Sequence, residues 1–340
     1  MPAILLKVRR LMKRQGHLIE KIANMDNLYL AFYKAKKGKA YKDEVVAYGQ
    51  RLQGNLLDLR QQLFWADMDV GNYCYFTVYD PKKRLICAAP FAQRVMHHAL
   101  MNICHPFFEK VQISHSYASR VAKGTYAALE QARSYHNQYK WFLKLDYRKY
   151  FDNLDHFILK QQLQALFKDP ILLKIFYRII DSYCTTENKG VPIGNLTSQY
   201  FANHYLAKMD HYVKERLNIR AYVRYMDDIV IWDNDKDVLL NAGRHLECYS
   251  ESKLKLTLKP FCLNQNSYGL PFLGYLIYPD ETRLAHRSRI RFSKKLYAYE
   301  KNLNLEIWSQ KEYQNHVIPL IAFTEKANAK GFRKHVMTTF

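Results

Sequence analysis

Two consecutive carboxylates, Asp227 and Asp228, lie in the middle of an otherwise apolar segment, AYVRYMDDIVIW, which occupies residues 221–232. The alternating and β-branched residues on either side predict a hairpin with the acidic pair at or near its turn. Adjacent carboxylates repel each other and lose solvation on burial, so we expect a cation beside them, and a divalent metal ion is the obvious candidate. Asp is also a common turn residue, so the pair alone does not exclude an ordinary hairpin.

A third carboxylate, Asp146, ends the segment WFLKLD, which has the pattern of a short buried strand. If this strand lies antiparallel beside the hairpin, Asp146 comes close to Asp227 and Asp228. Three carboxylates from two adjacent strands can hold two Mg²⁺ ions about 3.5–4 Å apart, one activating a hydroxyl and the other holding a triphosphate. The pattern therefore indicates phosphoryl transfer, in which positioning and charge neutralisation supply most of the catalysis.

Three cations follow one another in a second predicted hairpin. The segment YCYFTVYDPKKRLICAAP predicts two strands joined at Asp80 and Pro81, and the turn continues with Lys82, Lys83 and Arg84. Ammonium and guanidinium groups presented together are suited to a triphosphate or to backbone phosphates.

The charge of the whole chain indicates a polyanionic partner. Its 340 residues contain 52 Lys and Arg against 31 Asp and Glu, a net charge of +21, which is large for an enzyme of small metabolites. Aromatic residues make up 14% and include 27 Tyr, which adds surfaces on which bases can stack. Hydrophobic residues make up 49%, which excludes disorder, and the apolar runs are too short to span a bilayer.

The remaining segments predict mainly helices. Residues 1–65 are spaced as helices, and residues 91–110 predict a helix that ends around His105 and Pro106. Further predictions are a helical tract over 157–183, a Gly/Pro loop entering a helix before the acidic hairpin, a helix over 236–252, a strand at LKLTLKPF, a short hairpin at PFLGYLIY, and helices from about residue 287.

Several of these segments together resemble the motifs of reverse transcriptases. LKLDYRKYF, VPIGNLTSQ, YMDD and FLGY occur in the family's order and rough spacing, and DPKKRLI and SYASRVAKGT resemble the motifs that precede them. The resemblance covers roughly residues 70–280. It implies an α+β, right-hand polymerase fold with fingers, a palm of antiparallel sheet and backing helices, and a small helical thumb.

The resemblance also implies a division of the chain. N-terminal helices and fingers would occupy 1–140, the palm 141–280 with a finger-side helical insertion at about 157–185, and a basic helical thumb 281–340. Residues 283–340 hold 12 Lys and Arg against 4 acidic residues, as expected of a thumb that meets nucleic acid.

Metal ligands and a nucleotide gate follow from the same resemblance. Asp146, Asp227 and Asp228 would be the catalytic residues and would hold two Mg²⁺ ions, for which Mn²⁺ can substitute, with assistance from the carbonyl of Tyr147. Phe151, five residues after Asp146, occupies the position of an aromatic gate that collides with a ribose 2′ hydroxyl and so favours deoxynucleotides. A plain core Phe is the alternative interpretation of Phe151.

Other positions match the family's nucleotide and primer contacts. Arg84 and Lys82 correspond to cations that meet the incoming triphosphate, and the loop residues Ile193, Gly194 and Gln199 correspond to a nucleotide-binding motif. The primer grip would be formed by Phe272, Leu273, Gly274 and Tyr275.

The loop motif departs from the common form of the family. Most reverse transcriptases carry QGxxxSP, whereas this chain has Ile193 and Gly194 followed by Ser198 and Gln199. The IGxxxSQ form resembles enzymes of diversity-generating retroelements, which make error-prone, adenine-mutagenic cDNA together with a small basic helical accessory protein, an oligomer. The register of the family's motif lysine against Lys259 is open, and this residue stays outside the catalytic set.

The expected function is therefore RNA-directed DNA synthesis from a retroelement template RNA, with an RNA/DNA duplex and dNTPs as further partners. The alternatives are another bacterial or phage reverse transcriptase, retron-like or of a defence type, and a non-catalytic RNA-binding protein with a palm fold. A very short apolar run before the basic cluster of MPAILLKVRRLMKR is the wrong order for a secretory signal, so we expect a cytoplasmic protein that binds no membrane, prokaryotic or phage-encoded.

Overall fold

The computed structural model describes residues 14–79 and 83–338. In chain order its elements are α1 (Ile19–Ile22), α2 (Met25–Lys36), α3 (Asp43–Gln50), α4 (Leu52–Trp65), β1 (Cys74–Val78), β2 (Arg84–Ala88), α5 (Phe91–Lys110), α6 (Thr125–Gln138), β3 (Trp141–Leu145), α7 (His156–Leu166), α8 (Pro170–Asp181), α9 (Leu196–Tyr205), α10 (Ala207–Glu215), β4 (Ala221–Tyr225), β5 (Asp228–Asp233), α11 (Lys236–Leu254), β6 (Cys262–Gln265), β7 (Leu270–Phe272), β8 (Tyr275–Ile277), β9 (Thr282–Leu284), α12 (His286–Asn304), α13 (Gln310–Glu325) and α14 (Lys330–Thr338). Helices and antiparallel strands occur in one chain, which confirms the α+β class.

The chain forms two compact units, each made of separate stretches. Unit 1 comprises 1–112, 149–208 and 251–256, and unit 2 comprises 113–148, 209–250 and 257–340. The division into fingers, palm and thumb stays a prediction. In the described part of the chain, no helix is long and apolar enough to cross a membrane.

Unit 1 is mainly helical and includes the two-stranded ladder β1–β2. Asp169 begins α8, since its carboxylate accepts the backbone N–H of Leu172 at 3.2 Å and Pro170 supplies the preset φ of a first helical residue. The same carboxylate accepts the N–H of Leu18 at 2.8 Å. One side chain thus begins a helix and joins it to the segment that enters α1.

The helix α5 runs from Phe91 to Lys110, which confirms the predicted range, but it continues through Pro106, so the end expected around His105 and Pro106 is wrong. Proline inside a helix removes one backbone hydrogen bond, which normally stops the helix. Here the last turn carries Phe108, whose ring packs against Phe167 and Phe201 in the core of unit 1. Burial of this ring outweighs the lost bond.

Unit 2 contains a four-stranded antiparallel sheet in the order β4–β5–β3–β6 and a three-stranded sheet β7–β8–β9. The two central strands, β5 and β3, are apolar on both faces. Val230, Trp232 and Phe142 are buried on one face, and Ile231 and Leu143 on the other. The indole of Trp232 donates to Nδ1 of His136 at 3.3 Å, which satisfies its polar atom inside this core.

The strand predicted at LKLTLKPF begins later than expected. Residues 254–261 form no ladder beyond a single bridge between Leu258 and Tyr147, and β6 starts at Cys262. Pro260 explains the shift, because it has no backbone N–H to donate between the bridge and the ladder.

Candidate active site

The acidic pair lies at the turn of the hairpin β4–β5. Tyr225 and Asp228 form the last paired residues of the ladder, with Met226 and Asp227 between them. Met226 has φ of 57°, a left-handed conformation that costs a residue with a side chain roughly 1–2 kcal/mol. The surrounding structure therefore has to hold this turn in place.

Asp146 lies directly beside this turn. The strand β3 pairs antiparallel with β5, with Leu145 opposite Ile229, so the same register continued by one residue places Asp146 opposite Asp228. All three carboxylates belong to unit 2. The expected juxtaposition of Asp146 with the hairpin follows from this strand pairing.

The electrostatics of Asp228 reflect its surroundings. The pKa of Asp228 is raised from 3.8 to about 6, mainly by burial. Lys144 opposes this rise, and the charges of Asp227 and Asp146 contribute to it. A carboxylate that ionises against this resistance gains from any cation placed beside it.

Two lysines supply positive charge to the carboxylates. The ammonium of Lys144 donates to Oδ2 of Asp228 at 3.3 Å and lies 3.1 Å from Oδ1. Lys259 pairs through its ammonium with the carboxylate of Asp146, and its backbone N–H donates to the Asp146 carbonyl at 2.9 Å. Sequence reasoning assigned no role to Lys144, although Lys144 and Asp146 lie two residues apart and therefore share a face if β3 is extended by one residue.

The donor set suits a hard divalent cation, which prefers carboxylate oxygens. Oδ1 of Asp228 is buried, and the Lys144 ammonium lies 3.1 Å from it without the geometry of a hydrogen bond, so this oxygen has capacity for a further ligand. In the structure, Asp228 and Asp146 are paired with lysine ammonium groups. Over the described ranges, no group of three or more His, Cys, Asp or Glu side chains is placed to hold a metal ion.

Tyr147 directs its side chain away from the carboxylates. Its hydroxyl lies 2.8 Å from Oγ of Ser250 and donates to Sδ of Met209 at 3.0 Å, and the residue is 1% exposed. Burial raises the pKa of Tyr147, so the phenol stays protonated. Only its backbone carbonyl remains a candidate ligand, as the family resemblance implies.

Tyr147, which the resemblance also places at the nucleotide, is in unit 2, whereas the other described candidate nucleotide-binding residues are in unit 1. The carbonyl of Phe151 accepts the N–H of Val191 at 2.9 Å, and the carbonyl of Ile193 accepts the N–H of Cys87 at 2.8 Å. The loop before α9 thus joins the turn that carries Phe151 to β2, the strand that begins with Arg84.

The side chains of this group differ in exposure. Phe151 is half-buried with its ring edge-on to Tyr150 at 5.7 Å, and Ile193 is half-buried. Arg84 and Gln199 are exposed. Lys82 lies outside the described residues.

Gly194 requires its glycine. Its φ is 127°, and a Cβ there would lie 2.9 Å from the backbone oxygen of Cys87. A side chain at this position would push the loop off β2.

The candidate primer grip is a tight hairpin turn in unit 2. Leu273 and Gly274 have φ of 49° and 89° and connect Phe272 to Tyr275. The carbonyl of Gly274 accepts the hydroxyl of Ser288 at 2.7 Å, which ties the turn to α12.

One side chain, that of Lys144, contacts both the primer-grip hairpin and a carboxylate of the acidic turn. Lys144, besides its contact with Asp228, donates to the carbonyl of Pro271 at 2.7 Å.

A fully buried ion pair lies behind the acidic turn and was not found from the sequence. Arg224 in β4 and Asp210 in α10 are both 0% exposed, and their side chains are 2.7 and 2.5 Å apart at two nitrogen–oxygen pairs. Tyr222 also donates to Asp210, at 2.5 Å. A charged residue inside the apolar run AYVRY was the available signal, since a buried Arg needs an acidic partner.

The chain matches a known protein family over more than half of its length. The model of the family "Reverse transcriptase (RNA-dependent DNA polymerase)" matches residues 79–277 of the chain.

Two relatives of known sequence are named as intron proteins. The group II intron-encoded protein LtrA of Lactococcus lactis subsp. cremoris is 25% identical over 260 residues, which covers 69% of this chain and 42% of LtrA. The COX1/OXI3 intron 2 protein of Saccharomyces cerevisiae is 23% identical over 153 residues, 43% of this chain and 17% of that protein. The chain therefore spans less than half the length of these relatives.

Among solved structures, a telomerase of Candida tropicalis in complex with the TWJ fragment of telomeric RNA is similar. The two superpose with a TM-score of 0.51 at 13% identity, over 83% of this chain and 58% of that one. At this identity the likeness concerns the fold alone, and it agrees with the right-hand polymerase class predicted from the sequence.

Proposed function

The chain belongs to the reverse transcriptase (RNA-dependent DNA polymerase) family, and on that premise we propose that it extends a DNA primer along an RNA template, with Asp146, Asp227 and Asp228 holding two divalent cations. The observation that carries this proposal is the strand register that pairs Leu145 with Ile229, which, continued by one residue, brings Asp146 opposite Asp228 at the acidic turn. The Tyr147 carbonyl completes the proposed ligand set.

Bound Mg²⁺ ions would activate the primer 3′ hydroxyl and neutralise the triphosphate. The residues of the chain supply the charges that such ions need. The carboxylates concentrate negative charge where a cation would bind, and Lys144 and Lys259 offset part of that charge. In unit 1, Arg84 is an exposed guanidinium suited to a triphosphate oxygen.

Primer extension tests this function. With oligo-dT on poly-rA, dTTP and Mg²⁺, we expect DNA synthesis that EDTA abolishes and that the Asp227→Asn variant lacks. No metal-dependent synthesis, even after cognate RNA and accessory protein are supplied, would favour an RNA-binding protein without catalysis.

Selection against ribonucleotides is proposed for Phe151. We expect Phe151→Val to increase the incorporation of ribonucleotides relative to deoxynucleotides by roughly ten- to a hundredfold, because the smaller side chain leaves room for the 2′ hydroxyl. Steady-state kinetics with dTTP and UTP on the same template measure this ratio. Tyr150→Phe serves as the control, because it removes the hydroxyl that donates to the Ala202 carbonyl but leaves the neighbouring gate ring in place.

The finer proposal is that the enzyme is of the mutagenic retroelement class. It rests on the IGxxxSQ form, in which Ile193 replaces a side chain able to hydrogen-bond near the nascent base pair. With fewer polar contacts at this position, the geometry of the nascent base pair would be less restricted, and a mismatched pair would be accepted more readily.

We therefore expect Ile193→Gln to lower misincorporation opposite template adenine, measured by sequencing the cDNA. The carbonyl of Ile193, which accepts the Cys87 N–H, is backbone and survives the substitution. Ile193→Leu keeps the apolar character and should keep the error rate. Equal error rates in Ile193→Gln and the unsubstituted enzyme would rule out this role.

The proposed partners are template RNA, the RNA/DNA duplex, dNTPs and a small basic helical accessory protein. The Lys- and Arg-rich α12–α14 support contact with the nucleic acid, and its affinity should fall steeply with salt. A template and variable repeat pair in the flanking DNA, differing at adenines, would identify the retroelement and distinguish it from a retron-like or defence-type enzyme.

A further inference from the structure

We propose that Arg224 is a positioning residue that holds the metal-binding turn, so that the buried Arg224–Asp210 pair determines cation affinity without touching the cation. This rests on the proposed function, because it assumes that Asp227 and Asp228 are ligands. The guanidinium makes contacts in two directions. Nε and Nη2 donate to the two carboxylate oxygens of Asp210 at 2.7 and 2.5 Å, and Nη1 donates to the Met226 carbonyl at 3.0 Å.

The geometry of the guanidinium makes it suitable for this task. It is planar, and two of its nitrogens are already fixed by a bidentate carboxylate, so the third nitrogen has little freedom. That third nitrogen meets the carbonyl of Met226, the residue with left-handed backbone immediately before Asp227. The turn is therefore held at its least favourable residue.

Helix α10 supplies the fixed end of this connection. Asp210 is 0% exposed and also accepts the hydroxyl of Tyr222 at 2.5 Å, so its carboxylate is held from two residues of β4. A displacement of Asp210 would move the guanidinium and with it the Met226 carbonyl.

The backbone of Arg224 is held in place by its own hydrogen bonds, independently of the side chain. Its N–H donates to the His115 carbonyl at 3.0 Å, and its carbonyl accepts the N–H of Tyr117 at 2.9 Å. The strand is thus placed by main-chain bonds. Buried ion pairs stabilise proteins poorly compared with apolar residues of similar volume, so stability alone does not account for a charge at this position. An apolar pair would lack the donor to the Met226 carbonyl.

A triple substitution separates these roles. Asp210→Leu, Tyr222→Phe and Arg224→Met together remove both charges and the hydroxyl that would otherwise be unpaired, and leave the main-chain bonds. We expect the triple variant to fold, as judged by circular dichroism and a cooperative melt, yet to bind Mn²⁺ about tenfold more weakly, as is usual when a group supporting a metal ligand is lost. Electron paramagnetic resonance of free Mn²⁺ during a titration of the full chain measures this affinity.

Two single variants complete the experiment. Tyr222→Phe keeps the bonds of Arg224 to both Asp210 and Met226, and should lower the melting temperature with Mn²⁺ affinity unchanged. Arg224→Lys keeps the buried charges but cannot make all three bonds. We expect it to weaken Mn²⁺ binding, and it gives the same test if the triple variant does not fold.

The outcomes distinguish this inference from the proposed function. If Asp227→Asn leaves Mn²⁺ binding unchanged, the proposed metal site is wrong. If Asp227→Asn weakens binding but the folded triple variant, or Arg224→Lys in its place, binds Mn²⁺ like the unsubstituted protein, the role of Arg224 is overturned.

Discussion

Nucleotide addition by the Asp228→Asn variant is expected to fall about a thousandfold, while the metal-free variant becomes more stable than the unsubstituted protein. The first effect follows because a metal ion supplies several kcal/mol of transition-state stabilisation, and about 4 kcal/mol corresponds to a factor of a thousand. The second follows because Asp228 is ionised at neutral pH although its pKa in the folded protein is raised from 3.8 to about 6. At about 1.36 kcal/mol per pKa unit, that shift corresponds to a cost of about 3 kcal/mol.

The pH dependence has a definite direction. An acid whose pKa is raised by folding binds its proton more tightly in the folded state, so folding loses stability as pH rises from about 4 to about 6 and stays lower above that. The gain from Asp228→Asn should therefore be full at pH 8 and vanish towards pH 4. Urea unfolding in EDTA at both pH values measures it.

A matched control lies on the same strand. Asp233 ends β5, at the opposite end from Asp228, and Asp233→Asn should change neither activity nor the pH dependence. In the Asp228→Asn variant, Lys144 keeps its bond to the Pro271 carbonyl, so it does not become a buried unpaired cation. Lower stability of metal-free Asp228→Asn at pH 8 would contradict the prediction.

The arrangement of the carboxylates was accessible from the sequence because local rules determine it. WFLKLD ends a short buried strand with a carboxylate, and YMDD interrupts an alternating apolar pattern, so both motifs could be placed at strand ends. Which strands would pair followed only from the family resemblance and from general sheet topology, and the register between Leu145 and Ile229 confirms the pairing.

The partners of the carboxylates were less accessible for a physical reason. Lys144 could have been found from the period of two in β3, but its contact with Pro271 depends on a hairpin more than a hundred residues later. Lys259 follows a segment whose alternation predicted a strand that Pro260 prevents. Asp210 lies on a helix and its partner Arg224 on a strand, and no local rule pairs residues on different elements.

That buried pair gives the largest expected change in stability. Asp210→Ala removes the carboxylate that Arg224 contacts through two nitrogens, at a guanidinium that is 0% exposed. We expect the free energy of unfolding to fall by about 3–5 kcal/mol, the usual result of breaking one side of a buried pair. Equilibrium urea unfolding measures the change. An exposed pair is the control: Lys326→Ala, which removes the partner of Glu130, should cost at most about 1 kcal/mol.

The triple variant Asp210→Leu, Tyr222→Phe and Arg224→Met should recover most of that loss, since apolar residues of similar volume often replace a buried ion pair without cost. If it does, the charges are not retained for stability, and their bond to the Met226 carbonyl becomes the physical reason for keeping them. If the triple variant is instead as unstable as Asp210→Ala, the pair is needed for the fold itself. Stability and Mn²⁺ affinity measured on the same variants therefore show whether the Arg224–Asp210 pair stabilises the core or holds the metal-binding turn.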